Sequence, residues 1–245
     1  MNMKKLMVVG ALTAWSLAGV CAEPMRVTLT FDDGLKDHLR VAAPLLEQHG
    51  WRGVFNIVTS TVGMDERHLT WEDVRELVRR GHEITSHTVT HTNLVDLVKA
   101  GRTDLVHREL AESRDLIEKK AGVRPRYLCT PYVAQNEETA RICREEEMEQ
   151  MLGCRHNFGA GNEDQVKAVV GQWRQWGRTR LDILHHGITA AGGGWCPFKD
   201  KEEFARHLDL IAELEKEGRV VVTDYAGFVS DCALSDKDWP HHGKD

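Results

Sequence analysis

The chain has no internal repeat and no low-complexity run, which excludes a repeat array and leaves a single globular unit as the expectation. It also lacks an excess of positive charge. Of 245 residues, 32 are Lys or Arg and 38 are Asp or Glu, a formal net charge of −6. Removing residues 1–22, which carry Lys4 and Lys5, leaves 30 basic and 38 acidic side chains and a charge of −8. That balance argues against nucleic acid as a partner, and against a polyanionic glycan held by charge alone. The six cysteines fit no zinc-ribbon spacing. Five remain beyond Cys21 (Cys129, Cys143, Cys154, Cys196 and Cys232), so in an oxidising compartment at least one lacks a partner within the chain. Long apolar runs are missing too. The run over 6–17 is short and interrupted by Thr13 and Ser16. With Lys4 and Lys5 before it and Val20-Cys21-Ala22 after it, it reads as a secretory signal rather than a membrane anchor. Lipid attachment at Cys21 would want Gly, Ala or Ser at the position of Val20, so free export is the expectation, to periplasm, cell surface or medium.

What is present begins with Val27-Thr28-Leu29-Thr30-Phe31, a strand-forming run that stops at Asp32-Asp33-Gly34. Neighbouring strand residues point to opposite sides, so Asp32 and Asp33 need not share a task. One suits a cation and the other proton transfer. The plainer alternative is a helix cap or turn. A second group follows a strand-like 82–85 segment: His87 and His91, four residues apart, can face one point from a helical turn or a tight loop. Imidazole and carboxylate suit zinc or a similar divalent ion, with room left for water. A zinc-protease helix built on His82-Glu83 fails on spacing, because His87 stands at i+5 from His82 and not i+4. A third apolar run, 181–184, ends in His185-His186-Gly187. Alternation sends the two imidazoles to opposite sides, so only one is expected in a site, and a buried structural histidine is the competing reading. In barrels of parallel strands, functional residues gather from several strand ends at one face.

Strand-like segments at 27–31, 53–58, 83–85, 127–130, 181–184 and 219–223 alternate with helical patterns at 35–49, 71–80, 94–120, 137–148, 165–176 and 201–217. Such alternation implies a parallel α/β sheet. The glycine-rich stretch after 189 carries Trp195, which could stack on a sugar ring or anchor its own loop. Asp224-Tyr225 is expected at the site face or as a cap for a last short helix, and His241 and His242 in a solvated tail.

Taken together these residues resemble the polysaccharide deacetylase family, carbohydrate esterase family 4, over roughly residues 26 to 228. Thr30-Phe31-Asp32-Asp33-Gly34 matches the first motif completely, and His87-Thr88-Val89-Thr90-His91 meets the second. Cys129-Thr130-Pro131-Tyr132 keeps only Pro131 and Tyr132 of the third, whose arginine is lost; the Asp and Trp pair of the fourth is not found. The fifth fits the region of His185 and His186. The resemblance implies an irregular (β/α) barrel of parallel strands, one domain over 23–245 after a signal over 1–22. It implies a metal triad of Asp33, His87 and His91, holding zinc with cobalt or nickel as alternatives. It makes Asp32 the base that deprotonates the attacking water. His186, rather than His185, becomes the acid that protonates the leaving group, and the Tyr132 backbone amide an oxyanion donor. Trp195 lies on the expected substrate face. The implied activity is hydrolysis of acetyl groups on a poly- or oligosaccharide, with no nucleic acid and no stable membrane anchor. In the family the missing arginine orients the base; Arg124 and Arg126 are the nearby basic residues, and neither is established there by the sequence. A glycan-binding module with a degenerate site, and a hydrolase of another acyl or amide bond, are the competing readings.

Overall fold

A computed structural model describes residues 23–158, 165–190, 195 and 198–230. Among these, eight strands form one sheet: β1 (Met25–Phe31), β2 (Val54–Ile57), β3 (Glu83–Ser86), β4 (Tyr127–Leu128), β5 (Glu149–Gln150), β6 (Arg155–Asn157), β7 (Arg180–His185) and β8 (Val220–Val222). Their order is β5-β4-β3-β2-β1-β7-β6, and every pairing is parallel. β7 lies along one edge of β1 from Arg26 to Phe31. A strand has only two edges, so β8 and β2 divide the other: β8 takes Met25–Val27, and β2 takes Thr30 and Phe31. The sheet curls into the expected irregular (β/α) barrel.

Period-two alternation sorts the strand residues into two environments. Val27, Leu29, Phe31, Phe55, Ile57, Ile84, Leu181 and Ile183 join the main apolar core beneath the helices. Burying side chains of this size is worth about 1.5–3 kcal/mol each, which fixes the register of β1 and β7. The alternate set points into the lumen, and it is polar: Thr28, Thr30, Asp32, Asn56, Thr85, His87 and Asp182 are all buried. A buried polar lumen is costly unless its groups satisfy one another.

The lower end of the lumen is filled by apolar residues. Val54, Tyr127, Met151, Leu152, Tyr225 and Phe228 pack there. The last two come from a short helix, α8 (Tyr225–Val229), which closes this end. Its backbone N–H at Tyr225 donates to Glu83 at 2.7 Å, and the Tyr225 hydroxyl accepts from the Leu152 N–H at 2.6 Å. Asp224 caps this helix by accepting from the Gly227 N–H. β8 ends at the level of Val27, five residues or roughly 16 Å short of Asp32. Asp224-Tyr225 is therefore a cap and a plug at the end away from Asp32, not part of the site face.

The helices follow the sequence pattern closely. The 35–49 pattern is a π-helical turn (His38–Ala42) continuing into α1 (Ala43–Gln48). α2 (Trp71–Arg79) begins with a reciprocal capping box between Thr70 and Asp73. The single helix expected over 94–120 is two, α3 (Leu94–Lys99) and α4 (Thr103–Ala121). Gly101 at φ +71° reverses the chain between them, a conformation that glycine adopts without strain. α5 (Glu137–Glu145), α6 (Val166–Gln175) and α7 (Lys201–Lys216) complete the layer. Cys129, Cys143 and Cys154 are buried, whereas Cys21, Cys196, Cys232, His241 and His242 lie outside the described residues.

Candidate active site

Asp32 continues the β1 ladder, its N–H donating to the His185 carbonyl at 2.9 Å, and so turns its carboxylate into the lumen. Asp33 and Gly34 then adopt φ +77° and +67°, which swings the second carboxylate out over the strand ends. From β3, the His87 N–H donates to the Ile57 carbonyl at 2.9 Å, so its imidazole also enters the lumen. The chain beyond is a tight loop rather than a helix, with Thr88 and His91 at φ +68° and +60°. Glu109 of α4 pins this loop by accepting from the Val89 and Thr90 N–H groups, both at 2.9 Å. His91 is thereby brought back beside His87, ring centroids 4.8 Å apart.

Three donor atoms converge. His87 Nε2 and His91 Nε2 stand 3.7 and 3.5 Å from Asp33 Oδ1. The donor atoms of Asp33, His87 and His91 all lie within 4.8 Å of one another. His87 Nδ1 donates to the Cys129 carbonyl at 2.8 Å, because a carbonyl can only accept. Burial lowers the pKa of His87, which favours the neutral ring with an Nε2 lone pair toward the two carboxylates. Lone pairs that face one another without a proton between them suit a cation. Tetrahedral zinc bonds of about 2.0–2.1 Å would set such donors roughly 3.3–3.5 Å apart, close to the spacing found. Asp32, His87 and Cys129 form an overlapping donor set. There, however, the Arg155 guanidinium lies against the thiol, Nη1 to Sγ 2.9 Å, where it opposes a second cation.

Asp32 is held by a fork. Arg155 donates to its two oxygens at 2.9 and 3.1 Å, and Asn56, itself held by Thr85, donates to Oδ1. Burial alone would raise the Asp32 pKa, but the Arg155 guanidinium and then His87 hold it well below the usual carboxylate range. Arg155 also donates to Asp182 at 2.9 Å and to Thr30 at 2.9 Å. One guanidinium thus faces two buried carboxylates. Asp182 takes the weaker share, its pKa pushed up to about 6 by burial against the pull of Arg155.

The sequence did not point to Arg155. It sits on β6, a strand of three residues reading Arg-His-Asn with no apolar run to mark it. Arg124 and Arg126 are elsewhere: they pair at the surface with Glu118 and Glu147, and with Glu149.

The two histidines at the end of β7 separate as alternation requires. His185 is fully buried on the helix side, stacked on Phe31 at 4.8 Å, with Nδ1 donating to the Thr30 carbonyl. His186 is partly buried on the other side. Its ring meets the edge of Trp195 at 5.5 Å, and Trp195 is 58% exposed. Tyr132 occupies a 3₁₀ turn at φ +60°, ψ 15°, with its ring 4.9 Å from His91 and 68% exposed. A bulky residue in that left-handed conformation costs on the order of 1–3 kcal/mol, a kind of strain that concentrates at functional sites. A cleft of about 330 Å³ opens beside Asp33 and His91, lined also by Leu35, Val58, Arg67 and His68. Asp33, His87, His91, Asp32, His186, Tyr132 and Trp195 therefore all gather toward the C-terminal strand ends.

This is a parallel (β/α) barrel whose polar lumen opens on a carboxylate and imidazole cluster. The polysaccharide deacetylase model matches residues 19–151, and the chain belongs to that family. The matched span ends before Arg155 and His186. Among its relatives, the Bacillus subtilis protein YxkH, whose name assigns it provisionally to the polysaccharide deacetylases, is 29% identical over 139 residues, 57% of this chain and 47% of that protein. A chitin deacetylase of Colletotrichum lindemuthianum is 28% identical over 114 residues, 46% of this chain and 44% of its own. The chain spans less than half the length of these two relatives. Among solved structures, a CE4 family pseudoenzyme from Bacillus anthracis shares the fold, with TM-score 0.61 and 16% identity over 89% of this chain and 70% of its own.

Proposed function

We propose that this chain is an exported, metal-dependent hydrolase that removes acetyl groups, N-acetyl foremost, from a carbohydrate. The observation that carries the reading is His87 Nε2 set 3.7 Å from both Asp32 and Asp33, with Asp32 held by the Arg155 fork. Asp33, His87 and His91 would hold one divalent ion, zinc foremost, with cobalt or nickel as alternatives. When bound, the ion lowers the pKa of water and polarises the acetyl carbonyl. Asp32 takes the proton of the attacking water, and the Arg155 fork fixes which lone pair it presents. The backbone N–H of Tyr132 is assigned to the developing oxyanion. His186 gives a proton to the departing nitrogen or oxygen. Trp195, exposed beside His186, offers a face for a sugar ring. The acetylated poly- or oligosaccharide is the only partner proposed; the net negative charge disfavours nucleic acid. Export rests on the signal-like residues 1–22, which lie outside the described residues, with 23–245 as one catalytic domain and no lipid at Cys21. Among the described residues no helix is long and apolar enough to cross a membrane. A binding module with a degenerate site loses its main motive, because Arg155 supplies the fork that the third motif lacks.

The test is acetate release from chitin oligomers, peptidoglycan, poly-N-acetylglucosamine and acetylated xylan with added Zn, Co or Ni. Stoichiometric metal with no release from any of these would favour the binding module instead.

A further inference from the structure

His186 lies one residue beyond the β7 ladder, so the sheet alone does not fix it. Its Nδ1 is buried and has no hydrogen-bond partner among the described residues. Among the described residues no carboxylate accepts from this Nδ1, which is how a proton-transferring histidine is commonly held. The backbone around it is gripped instead: the Gly187 N–H donates to the Trp195 carbonyl at 3.0 Å, and the other holds come from adjacent residues 37 and 38. His38 Nε2 lies 2.8 Å from the His186 carbonyl and must donate to it. Asp37 Oδ2 accepts from the Ile188 N–H at 2.8 Å and the Thr189 N–H at 2.9 Å. Both side chains are buried, Asp37 5% and His38 0% exposed. They bracket Gly187 from both sides. They also stand where the chain leaves Asp32-Asp33-Gly34 for a π-helical turn, an irregularity frequent at functional sites.

We propose that Asp37 and His38 are positioning residues for His186. Their clamp ties the acid to the short stretch of chain that carries Asp32 and Asp33, so acid, base and cation ligand share one frame. The inference rests on the reading of His186 as the acid. It gives the 33–38 turn a role in the reaction, although neither clamp side chain reaches the reacting atoms.

A structural anchor and a positioning clamp differ in one readout, the dependence on leaving group. An activated aryl acetate needs no proton on departure, whereas an N-acetylated sugar does. Asp37→Ala removes the one oxygen that accepts both N–H groups. It should lower kcat on N-acetylglucosamine oligomers by about 10- to 100-fold. On the aryl acetate it should lower kcat less than threefold, with bound metal unchanged. Amide hydrogen exchange at Ile188 and Thr189 should accelerate in the same variant. Should Asp37→Ala not fold, the His38 pair decides. His38→Gln keeps a donor near the Nε2 position and should restore most of the selective loss seen in His38→Leu. His186→Ala is measured alongside. If it damages both substrates equally, the acid reading falls and the clamp with it. If His186→Ala is selective for the amide and the clamp variants are not, or if Gln rescues no better than Leu, the clamp alone is overturned.

Discussion

The two ends of the barrel lumen are built by the same strands and solve burial in opposite ways. At the lower end Tyr127, Tyr225 and Phe228 fill the space, and the polar tip of Tyr225 has a single backbone partner. At the upper end Asp32, Arg155, Asp182 and Asn56 fill it with charge and amide, and each is satisfied by the others. The lower end could be repacked with other apolar groups at modest cost. The upper end could not, because removing one member strands its partners. Stability alone does not call for a buried guanidinium between two carboxylates, since an apolar replacement of the whole group is often as stable. The contrast fits the proposed reaction at the upper end and support at the lower.

The largest effects should come from the upper end. Asp32→Asn should cut turnover by about 10²–10⁴-fold while metal content and fold persist, because the amide matches the size but takes no proton. Near-normal turnover, or lost metal, would show that Asp32 has another role. His87→Ala and His91→Ala should each lower bound metal by more than tenfold in elemental analysis; full metal occupancy in both would remove Asp33, His87 and His91 as the ligand set. Arg155→Leu leaves Asp32 and Asp182 buried without their cation, and should cost about 3–5 kcal/mol in denaturant unfolding. Arg155→Lys keeps the charge without the fork, so it should retain stability better than activity. Equal loss of both would erase the distinction between a positioned base and a neutralised one.

Smaller effects belong to the lower end. Tyr225→Phe removes one buried hydrogen bond and should cost about 1–2 kcal/mol with activity unchanged. Glu83, which anchors α8, gives a pH signature. Burial raises its pKa from 4.5 to about 7 in the fold, against the pull of its bonds to α8. The folded state thus binds the proton more tightly than the unfolded chain, so stability contributed by this group falls as pH rises from about 4.5 to 7. Glu83→Gln should flatten the curve over that window, by on the order of 1 kcal/mol after allowance for partial exposure. An unchanged slope would mean that the carboxylate is already well solvated.

How far this contrast was legible in the sequence follows from the same physics. Strands bordering the apolar core announce themselves, and β1, β2, β3 and β7 lie close to where their apolar runs place them. Asp32, Asp33, His87 and His185-His186 stand at the ends of those runs, so the cluster could be anticipated. β5 and β6 could not: they have two and three residues, and their lumen side is polar, so period two leaves no hydrophobic trace. Arg155 was hidden for that reason. The split at Gly101 and the π-helical turn at His38 escaped because helical periodicity continues across both.

The guanidinium beside Asp32 has a consequence for how members of this family are compared. The family places an arginine in the loop after the strand equivalent to β4, where this chain has Cys129 and Thr130. Here a guanidinium arrives from β6, across the barrel, and delivers a two-pronged bond to Asp32. What stays constant is a location in space, open to more than one stretch of polypeptide. A chain scored along its length for five motifs would be filed with the defective members. Superposed by the position of its charges, the same chain has its full complement at Asp32. Loss of a motif residue is therefore an address change until the neighbouring strands have been searched for the missing group.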